Sequence, residues 1–565
     1  MKILSIHSGH DCAAGVFDDF KLQYIYKEER LSRIKAHSNE FPFLSLNRLK
    51  QHVNFNEIQK VVLGRDYFPT KVLKKRKLFV WYQVQKLQNS KKQISLQHLM
   101  RRTGIKCEFE LLDVSKLKKM VGLNENCEIL FTDHHFAHSI PCLFYRPSWE
   151  NCLLYTADGG GEGVQYSAVT YRDGQIKHIF GHSDLMHSNW TPNSLGQIYG
   201  LVTQICGFTK NKHEGKITGL AAFGKPVVSA EIKELFEVSP AGEIKSKFYD
   251  YKYATEKLQR LYDKHGAKNL AASVQIALED LILQALKILK DKYKFSQIGL
   301  AGGVFSNVSL NRRIAEELAI DEIFIFPAMT DDGLVIGRAL NALIDEFGLD
   351  TFLNNRQELE NVYWGEKYEA TLENLEVVAN EFTITKLNDY KKVVHDIKNQ
   401  KVVALFTDGM EYGPRALGAR SVLLSPIDRE INDIVNQRLN RTEFMPFAPV
   451  VLSGWENDVF DIPNQSAFAC KFMTITVGVK ENWWSKIPAV VHVDQSARPQ
   501  IIQRDTNPIY YDIINEFHEQ TDIPVLVNTS FNSHDEPIID TMEQAVNALR
   551  NRRIDALLID NFYIE

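Results

Sequence analysis

The sequence predicts an α/β protein with a duplicated N-terminal unit and a second α/β unit behind it. Three observations carry this expectation. Residues 2–28 read as strand, Gly loop, strand, turn, strand: Lys2–Ile6, His7-Ser8-Gly9-His10-Asp11, Ala13–Phe17, Asp18-Asp19 and Leu22–Tyr26. Residues 152–180 repeat that plan as Leu153–Thr156, Asp158–Gly161, Val164–Tyr171, Asp173-Gly174 and Ile176–Phe180. The texture then changes near 350–370, where Asn354-Asn355-Arg356-Gln357 is polar and turn-like, and strands resume at Val402–Phe406 and Pro524–Val527. We therefore divide the chain into 1–356 and 357–565. Two facing Gly-bearing loops can clamp a polyphosphate between two lobes, which is the arrangement of the actin-like (ASKHA) phosphotransferase fold. The plainer alternative is a pair of hairpin turns in which Gly supplies only positive φ.

Bulk properties narrow the function. The 565 residues are 44% hydrophobic and 24% charged, with a net charge of −5, so no global pull toward nucleic acid is evident. Seven cysteines are scattered without a CxxC pair, which argues against a zinc ribbon or a disulfide framework. No signal peptide fits the opening Met1-Lys2-Ile3-Leu4-Ser5-Ile6, and no apolar run is long enough to insert in a membrane. A reducing, cytoplasmic setting is expected.

In chain order, residues 70–103 come next. Lysines and arginines there alternate with Phe79, Trp81, Tyr82 and Leu87. A helix with one buried stripe and one solvated face explains that pattern, and contact with RNA is the sharper alternative. In Asp133-His134-His135-Phe136-Ala137-His138-Ser139, His134 and His138 share one helix face. Paired imidazoles at that spacing either join a polar network or offer two metal ligands from one rigid element. Asp158 and Asp331 each end an apolar strand-like run, where loops converge on ligands in α/β folds. Helical periodicity through 268–292 leads to Ile298-Gly299-Leu300 and then Ala301-Gly302-Gly303-Val304-Phe305-Ser306-Asn307. Gly302 and Gly303 would let a nucleotide approach the backbone, while Asn307 either bonds the ligand or caps the next helix. Gly159 and Gly160 are the equivalent nucleotide candidates in the second meander.

The C-terminal part carries a different chemistry. Arg415 lies in Glu411-Tyr412-Gly413-Pro414-Arg415-Ala416-Leu417-Gly418-Ala419-Arg420-Ser421, Arg441 precedes Met445-Pro446-Phe447-Ala448-Pro449, and Arg498 follows Gln495-Ser496-Ala497. Asn528-Thr529-Ser530-Phe531-Asn532 adds small donors after a strand. Arginines in loops rich in Gly, Pro and Ser suit bidentate binding of phosphate or carboxylate.

These blocks resemble the O-carbamoyltransferases of the nodulation, cephamycin and tobramycin group. Ser8–Asp11, Asp133–Ser139, Asp158–Gly161, Glu214–Ala221, Gly302–Asn307, Gly413–Ser421, Pro446–Pro449 and Asn528–Asn532 match in order across nearly the whole chain. The resemblance implies an actin-like domain similar to the tRNA threonylcarbamoyl transferase, followed by a YrdC-like domain. It implies that carbamoyl phosphate and ATP, with Mg2+, give carbamoyladenylate in the second domain. The carbamoyl group would then pass to a hydroxyl of a small-molecule acceptor in the first, the acceptor being a sugar or nucleotide sugar. It implies a metal, iron with manganese or zinc as alternatives, on His134, His138, Asp158 and Asp331, with Asp332 competing for the last place. His10 would orient the reacting groups, with Lys35, Glu214 and Lys216 as further candidates. Arg415, Arg498, Ser530 and Asn528 would hold phosphate or nucleotide. Relatives carry a Lys ahead of the Pro446–Pro449 block; here Arg441 stands in for it, with different donor geometry.

The chemistry is coherent. Carbamoyl is a poor electrophile until it carries a good leaving group, and a mixed anhydride with AMP supplies one. Because that anhydride hydrolyses, an internal passage between the two halves is expected. The rival functions are threonylcarbamoyl transfer to tRNA, a sugar kinase, and a non-enzymatic nucleotide-binding module.

Overall fold

The computed structural model describes residues 1–37, 40–74, 93–182, 194–248, 250–441 and 445–565. Its N-terminal lobe holds two sheets of the same design. In the first, β1 (Lys2–His7), β2 (Ala13–Asp18), β3 (Lys21–Lys27), β4 (Lys60–Leu63) and β5 (Glu128–Phe131) lie in the order β3-β2-β1-β4-β5. In the second, β6 (Asn151–Gly161), β7 (Val164–Arg172), β8 (Gln175–Phe180), β9 (Gln297–Ala301) and β10 (Glu322–Ile325) lie in the order β8-β7-β6-β9-β10. The first three strands of each sheet form an antiparallel meander, and the last two join parallel. Identical order and strand sense in two tandem sheets are an actin-like duplication. The repeat read from the two meanders is thus present, and it extends over five strands rather than three.

The duplication also includes a helix. Helix α1 (His134–Phe144) follows β5, and a second helix over Leu334–Phe347 follows β10; the two pack against each other between the sheets. Their closest approach has a chemical cause. Pro141 lies inside α1 and has no N–H to give to the Ala137 carbonyl. Gly337 occupies that space, and a Cβ on it would lie 1.6 Å from the Ala137 oxygen. A side chain at residue 337 would therefore force the helices apart.

The second sheet is covered by α2 (Leu195–Ile205), α3 (Glu214–Ala221) and α4 (Tyr251–Tyr293), which bury a large apolar cluster with β6 and β9. Helix α4 starts well before the expected residue 268, because Gly266 (φ 76°) joins two helical segments across a kink. After β9 comes α5 (Val308–Glu317), and the Leu334–Phe347 helix is α6.

The basic segment lies partly outside the described residues, at 75–92. Its C-terminal end is a helix over Leu96–Thr103 that buries Leu96, Leu99 and Met100 and directs Arg101 and Arg102 elsewhere. Phe79, Trp81, Tyr82 and Leu87, on which the expectation of a one-stripe helix rests, lie outside the described residues. Among the described residues no helix is long and apolar enough to cross a membrane.

Residues 356 and 357 still belong physically to the first lobe, since Arg356 donates to the Trp149 carbonyl and Gln357 to that of Phe144. From Val362 onward the backbone bonds to the C-terminal lobe. That lobe has a main mixed sheet of β11 (Ile384–Lys386), β12 (Val403–Phe406), β13 (Arg420–Leu424), β14 (Ala448–Leu452), β15 (Gln500–Ile502), β16 (Val525–Ser530), β17 (Ala556–Ile559) and β18 (Phe562–Ile564), beside a small antiparallel sheet of Phe460–Asp461, Val477–Val479 and Ser496–Ala497. The order in the main sheet is β11-β18-β17-β12-β13-β16-β14-β15.

Polar bonds tie the lobes together. Arg30 donates to the Gly413 carbonyl, Arg33 to those of Pro537 and Ile538, and the Tyr412 hydroxyl to that of Asp332. The Gly413 turn therefore rests directly on the segment that carries Asp331.

Candidate functional site

The first cluster grows from the duplication. Asp133 caps α1, accepting from Phe136 N–H at 2.6 Å, and so starts the helix where His134 and His138 face inward. Asp158 stands near the end of β6, and Asp331 in the turn after β10. Ligand candidates thus come from equivalent points of the two halves, the exits of β5 and β10, and from the end of β6.

One oxygen or nitrogen from each of His134, His138, Asp158 and Asp331 lies within 4.8 Å of all the others. His138 Nε2 is 3.3 Å from Asp158 and 3.2 Å from Asp331; His134 Nε2 is 3.6 and 3.8 Å from the same carboxylates. Both Nε2 atoms are buried, and neither finds a hydrogen-bond partner among the described residues. Buried polar atoms aimed at one point without partners are what a cation would satisfy, so the donor set fits a metal. Burial works against charge on His134, but the neighbouring Asp158, Asp331 and Asp66 carboxylates bring it up to about 9.

His135 is excluded from the cluster. Its Nδ1 meets the Thr156 hydroxyl at 2.7 Å and its Nε2 meets the Val164 carbonyl at 2.9 Å, while burial and the two neighbouring imidazoles push it down to about 4. Asp332 is excluded as well, because it pairs with buried Lys27 at 2.8 Å. Asp331 rather than Asp332 faces the histidines. Gly161 is needed beside them, since a Cβ there would lie 2.2 Å from the His134 ring.

His10 stands at the edge of this cluster with its side chain about a third exposed. Burial disfavours its charge, but Asp11, Asp331 and Asp158 outweigh that and raise its pKa. Behind it is a layer that the sequence did not reveal. His7 Nε2 lies 2.6 Å from the His10 carbonyl and 3.7 Å from Asp331. Its Nδ1 lies 3.2 Å from Asp66, and Asp66 accepts from fully buried Arg338 at 2.8 Å. Burial would raise the Asp66 carboxyl, but Arg338 and His7 hold it far below the usual range. Gly64 leaves room for the guanidinium, which a Cβ would meet at 1.9 Å.

The nucleotide candidates divide. The Gly159 carbonyl accepts from Ser194 and Gln197, and Gly160 is exposed. Gly302 (φ 97°) presses on the Ala157 carbonyl, and Gly303 lies beside Asp158. Asn307 caps α5 at Leu310 and exchanges amide hydrogen bonds with Gln275. A cavity of about 340 Å³ opens next to that amide pair, with Thr218, Gln275, Glu279 and Ser309 on one wall and Phe447, Asp494 and Arg498 on the other.

The second cluster is a cavity of about 250 Å³ between the lobes. It gathers Lys35, Lys216, Arg415, Arg441, Arg498, Asn528 and Ser530, all expected from the sequence, and adds Lys212. Among the described residues no Asp or Glu lines it. Arg498 and Met445–Ala448 line this cavity and the neighbouring one alike.

Buried groups shape its loops. Glu411 accepts from the N–H groups of Leu417, Ala419 and Arg420 at 2.6–3.1 Å and so folds the Gly413–Arg420 turn around itself. Arg420 is buried over the Phe406 ring and donates to the Thr407 and Ala419 carbonyls, a structural task. Arg441 donates to Thr529, Ser530 and Asn532, holding the Asn528–Asn532 loop. Glu214 does not line the cavity; it accepts from Asn211 N–H at 2.6 Å in a local turn, and it is not paired with Lys216. No short sequence signal announces Glu411 as a loop anchor, because its partners are backbone amides.

The fold and these two clusters define a group-transfer enzyme. The chain belongs to the carbamoyltransferase family: residues 2–340 match the family model for the carbamoyltransferase N-terminus, and 394–565 the one for the carbamoyltransferase C-terminus. It is 31% identical to an uncharacterized protein of Methanocaldococcus jannaschii over 100% of this chain and 99% of that protein. It is 29% identical to nodulation protein NolNO of Sinorhizobium fredii, over 98% of this chain and 79% of that one. Among solved structures, full-length HypF in its phosphate- and nucleotide-bound form covers 60% of this chain and 55% of its own, at 13% identity and a TM-score of 0.35. The dehydratase component A of Acidaminococcus fermentans covers 62% and 99%, at 8% identity and a TM-score of 0.34.

Proposed function

We propose that the chain is an ATP-dependent O-carbamoyltransferase that activates carbamoyl phosphate in the C-terminal part, 357–565, and transfers carbamoyl to a hydroxyl in the N-terminal part, 1–356. The observation that carries this reading is the coexistence of a buried cation-type cluster and a cavity rich in Arg and Lys in one chain of this family. In the first reaction carbamoyl phosphate loses phosphate with uptake of one water. The carbamate oxygen attacks the α-phosphorus of ATP, and pyrophosphate leaves. In the second, the acceptor oxygen attacks the carbamoyl carbon, AMP leaves, and the hydroxyl proton is lost.

In this reading Arg415 and Arg498 grip phosphate oxygens in the fixed fork geometry of guanidinium. Asn528 and Ser530 orient the nucleotide, and Arg441 keeps their loop in place. ATP enters with Mg2+. His134, His138, Asp158 and Asp331 would hold a divalent metal; imidazoles with hard oxygens suit iron or manganese, and zinc is the alternative. Bound there, such an ion supplies positive charge that polarises the carbamoyl carbonyl or stabilises the departing phosphate. His10 orients the carbamoyl group or the acceptor from the edge of the cluster. Gly302 and Gly303 allow the adenylate to come close to the backbone. Arg498, on the wall of both cavities, lies where an internal passage would run.

We take the acceptor to be a sugar or nucleotide sugar. The test is incubation with carbamoyl phosphate and ATP, followed by an acceptor screen by mass. AMP and pyrophosphate together with a product heavier by one carbamoyl group are expected. Formation of ADP alone with a phosphorylated sugar would replace this reading with a kinase, and modification of tRNA adenosine would replace it with the threonylcarbamoyl reaction.

A further inference from the structure

We propose that the N-terminal lobe supplies part of the activating site, with Lys212 and Lys216 binding phosphate groups from the turn at residues 209–216. This deepens the reading above and rests on it. The basic cavity is divided by residue type: its arginines, 415, 441 and 498, come from the C-terminal lobe, and its lysines, 35, 212 and 216, from the N-terminal lobe. Arg441 directs its guanidinium to the Asn528–Asn532 loop. The lysines from the other lobe add ammonium point charges to the same cavity beside the planar guanidinium forks.

The turn is built to stay in place. Lys212 N–H and His213 N–H both donate to the Thr209 carbonyl, and Asn211, at φ 63°, donates to Glu214. Glu214 is thereby a positioning residue for the lysines. The turn is also fastened across the lobes. His213 Nδ1 accepts from Thr209 N–H at 3.2 Å, so the ring hydrogen is on Nε2, which donates to Asp535 at 3.1 Å. The His213 ring stacks on His534, 5.5 Å between centroids. His213, His534 and Asp535 thus latch the turn across the lobes.

The experiment uses the full chain and measures carbamoyl-phosphate-dependent exchange of labelled pyrophosphate into ATP. Lys212 is exposed, so its substitution leaves folding intact. Lys212→Ala should raise the KM for ATP or carbamoyl phosphate and lower kcat/KM for exchange about tenfold, the scale of one charge-assisted contact. Lys212→Arg should keep most of the activity. Transfer from chemically prepared carbamoyladenylate should be unchanged in Lys212→Ala. Asp535→Asn, which weakens the latch, should lower exchange to a smaller degree. Wild-type exchange in Lys212→Ala, or a loss confined to transfer, would overturn the inference. A wild-type chain that catalyses no exchange would instead remove the reading on which it rests.

Discussion

The two clusters solve opposite electrostatic problems with opposite construction. The histidine–carboxylate cluster concentrates carboxylate oxygens and imidazole nitrogens at the ends of β6, β10 and α1. The basic cavity draws most of its cations from loops, and Glu411 and Arg441 bond the backbones of two of those loops from within. A cation needs ligands fixed to a fraction of an ångström, which regular elements provide. A polyphosphate that arrives, reacts and leaves in pieces suits side chains on loops. The comparison implies that damage behind the first cluster is felt as lost stability, and damage within the second as lost binding.

The largest effect is expected where the rigid cluster is supported. Arg338→Met leaves Asp66 buried without its guanidinium, and breaking a buried ion pair of this kind costs about 3–5 kcal/mol. Chemical denaturation of the full chain would measure it. Metal content should fall too, through His7 and Asp331. An unchanged midpoint would mean that the layer behind the cluster is not structural.

Next come the two substitutions that separate the regions. His138→Ala should lose metal and transfer while keeping pyrophosphate exchange. Arg498→Ala should lose exchange and keep metal. Each loss should be about 10²–10³ in rate, the scale of one well-placed group. If both variants fail in the same half-reaction, the division of labour drawn here is wrong.

A smaller effect tests how the loop cavity is held. Glu411→Ala strands three backbone N–H groups that the carboxylate now accepts, each group costing about 1–3 kcal/mol when buried unpaired. Relaxation of the turn should recover part of this. Weaker ATP binding with unchanged metal content is expected, read by calorimetry and elemental analysis.

How much of this was legible depended on the range of the interaction. The duplicated meander and the spacing of His134 and His138 are local patterns, and both could be read directly. Asp331 could not be separated from Asp332 by pattern, because adjacent residues differ only in what they meet: Asp332 meets Lys27 and Asp331 meets the histidines. The layer of His7, Asp66 and Arg338 joins residues up to 331 apart, and nothing in any one of their neighbourhoods announces it. Arg415, Arg441 and Arg498 were legible as chemistry, since arginines in loops rich in Gly, Pro and Ser suit anion binding, though Arg420 in the same Gly-Pro loop proves structural. The sharing of the cavity between lobes was not legible, because it depends on how the lobes dock.

Acid should act on the seam between the two regions. Burial would raise the Glu29 carboxyl, but Lys27 and Arg30 lower it to about 2 from 4.5. A depressed folded pKa contributes stability that is fully present above the unfolded value and is lost as pH falls through the folded one. Between about pH 4.5 and pH 2 the wild type should therefore lose stability faster than Glu29→Gln, which has no such proton to take up. Parallel pH profiles would show that Glu29 is not held by the seam.

The smallest effect concerns Asn307, where the sequence left two readings open. Its side chain caps α5 and pairs with Gln275, so both amide groups already have work inside the protein. Asn307→Ala should cost about 1 kcal/mol for the cap. Asn307→Ser keeps a capping oxygen and should recover part of that stability. If Asn307 also touches nucleotide, Asn307→Ser will regain stability without regaining affinity. If capping is its whole task, stability and affinity will return together. The pair of variants thus distinguishes a rigid-element residue from a ligand-binding one at the border of the 340 Å³ cavity, where the two styles of construction meet.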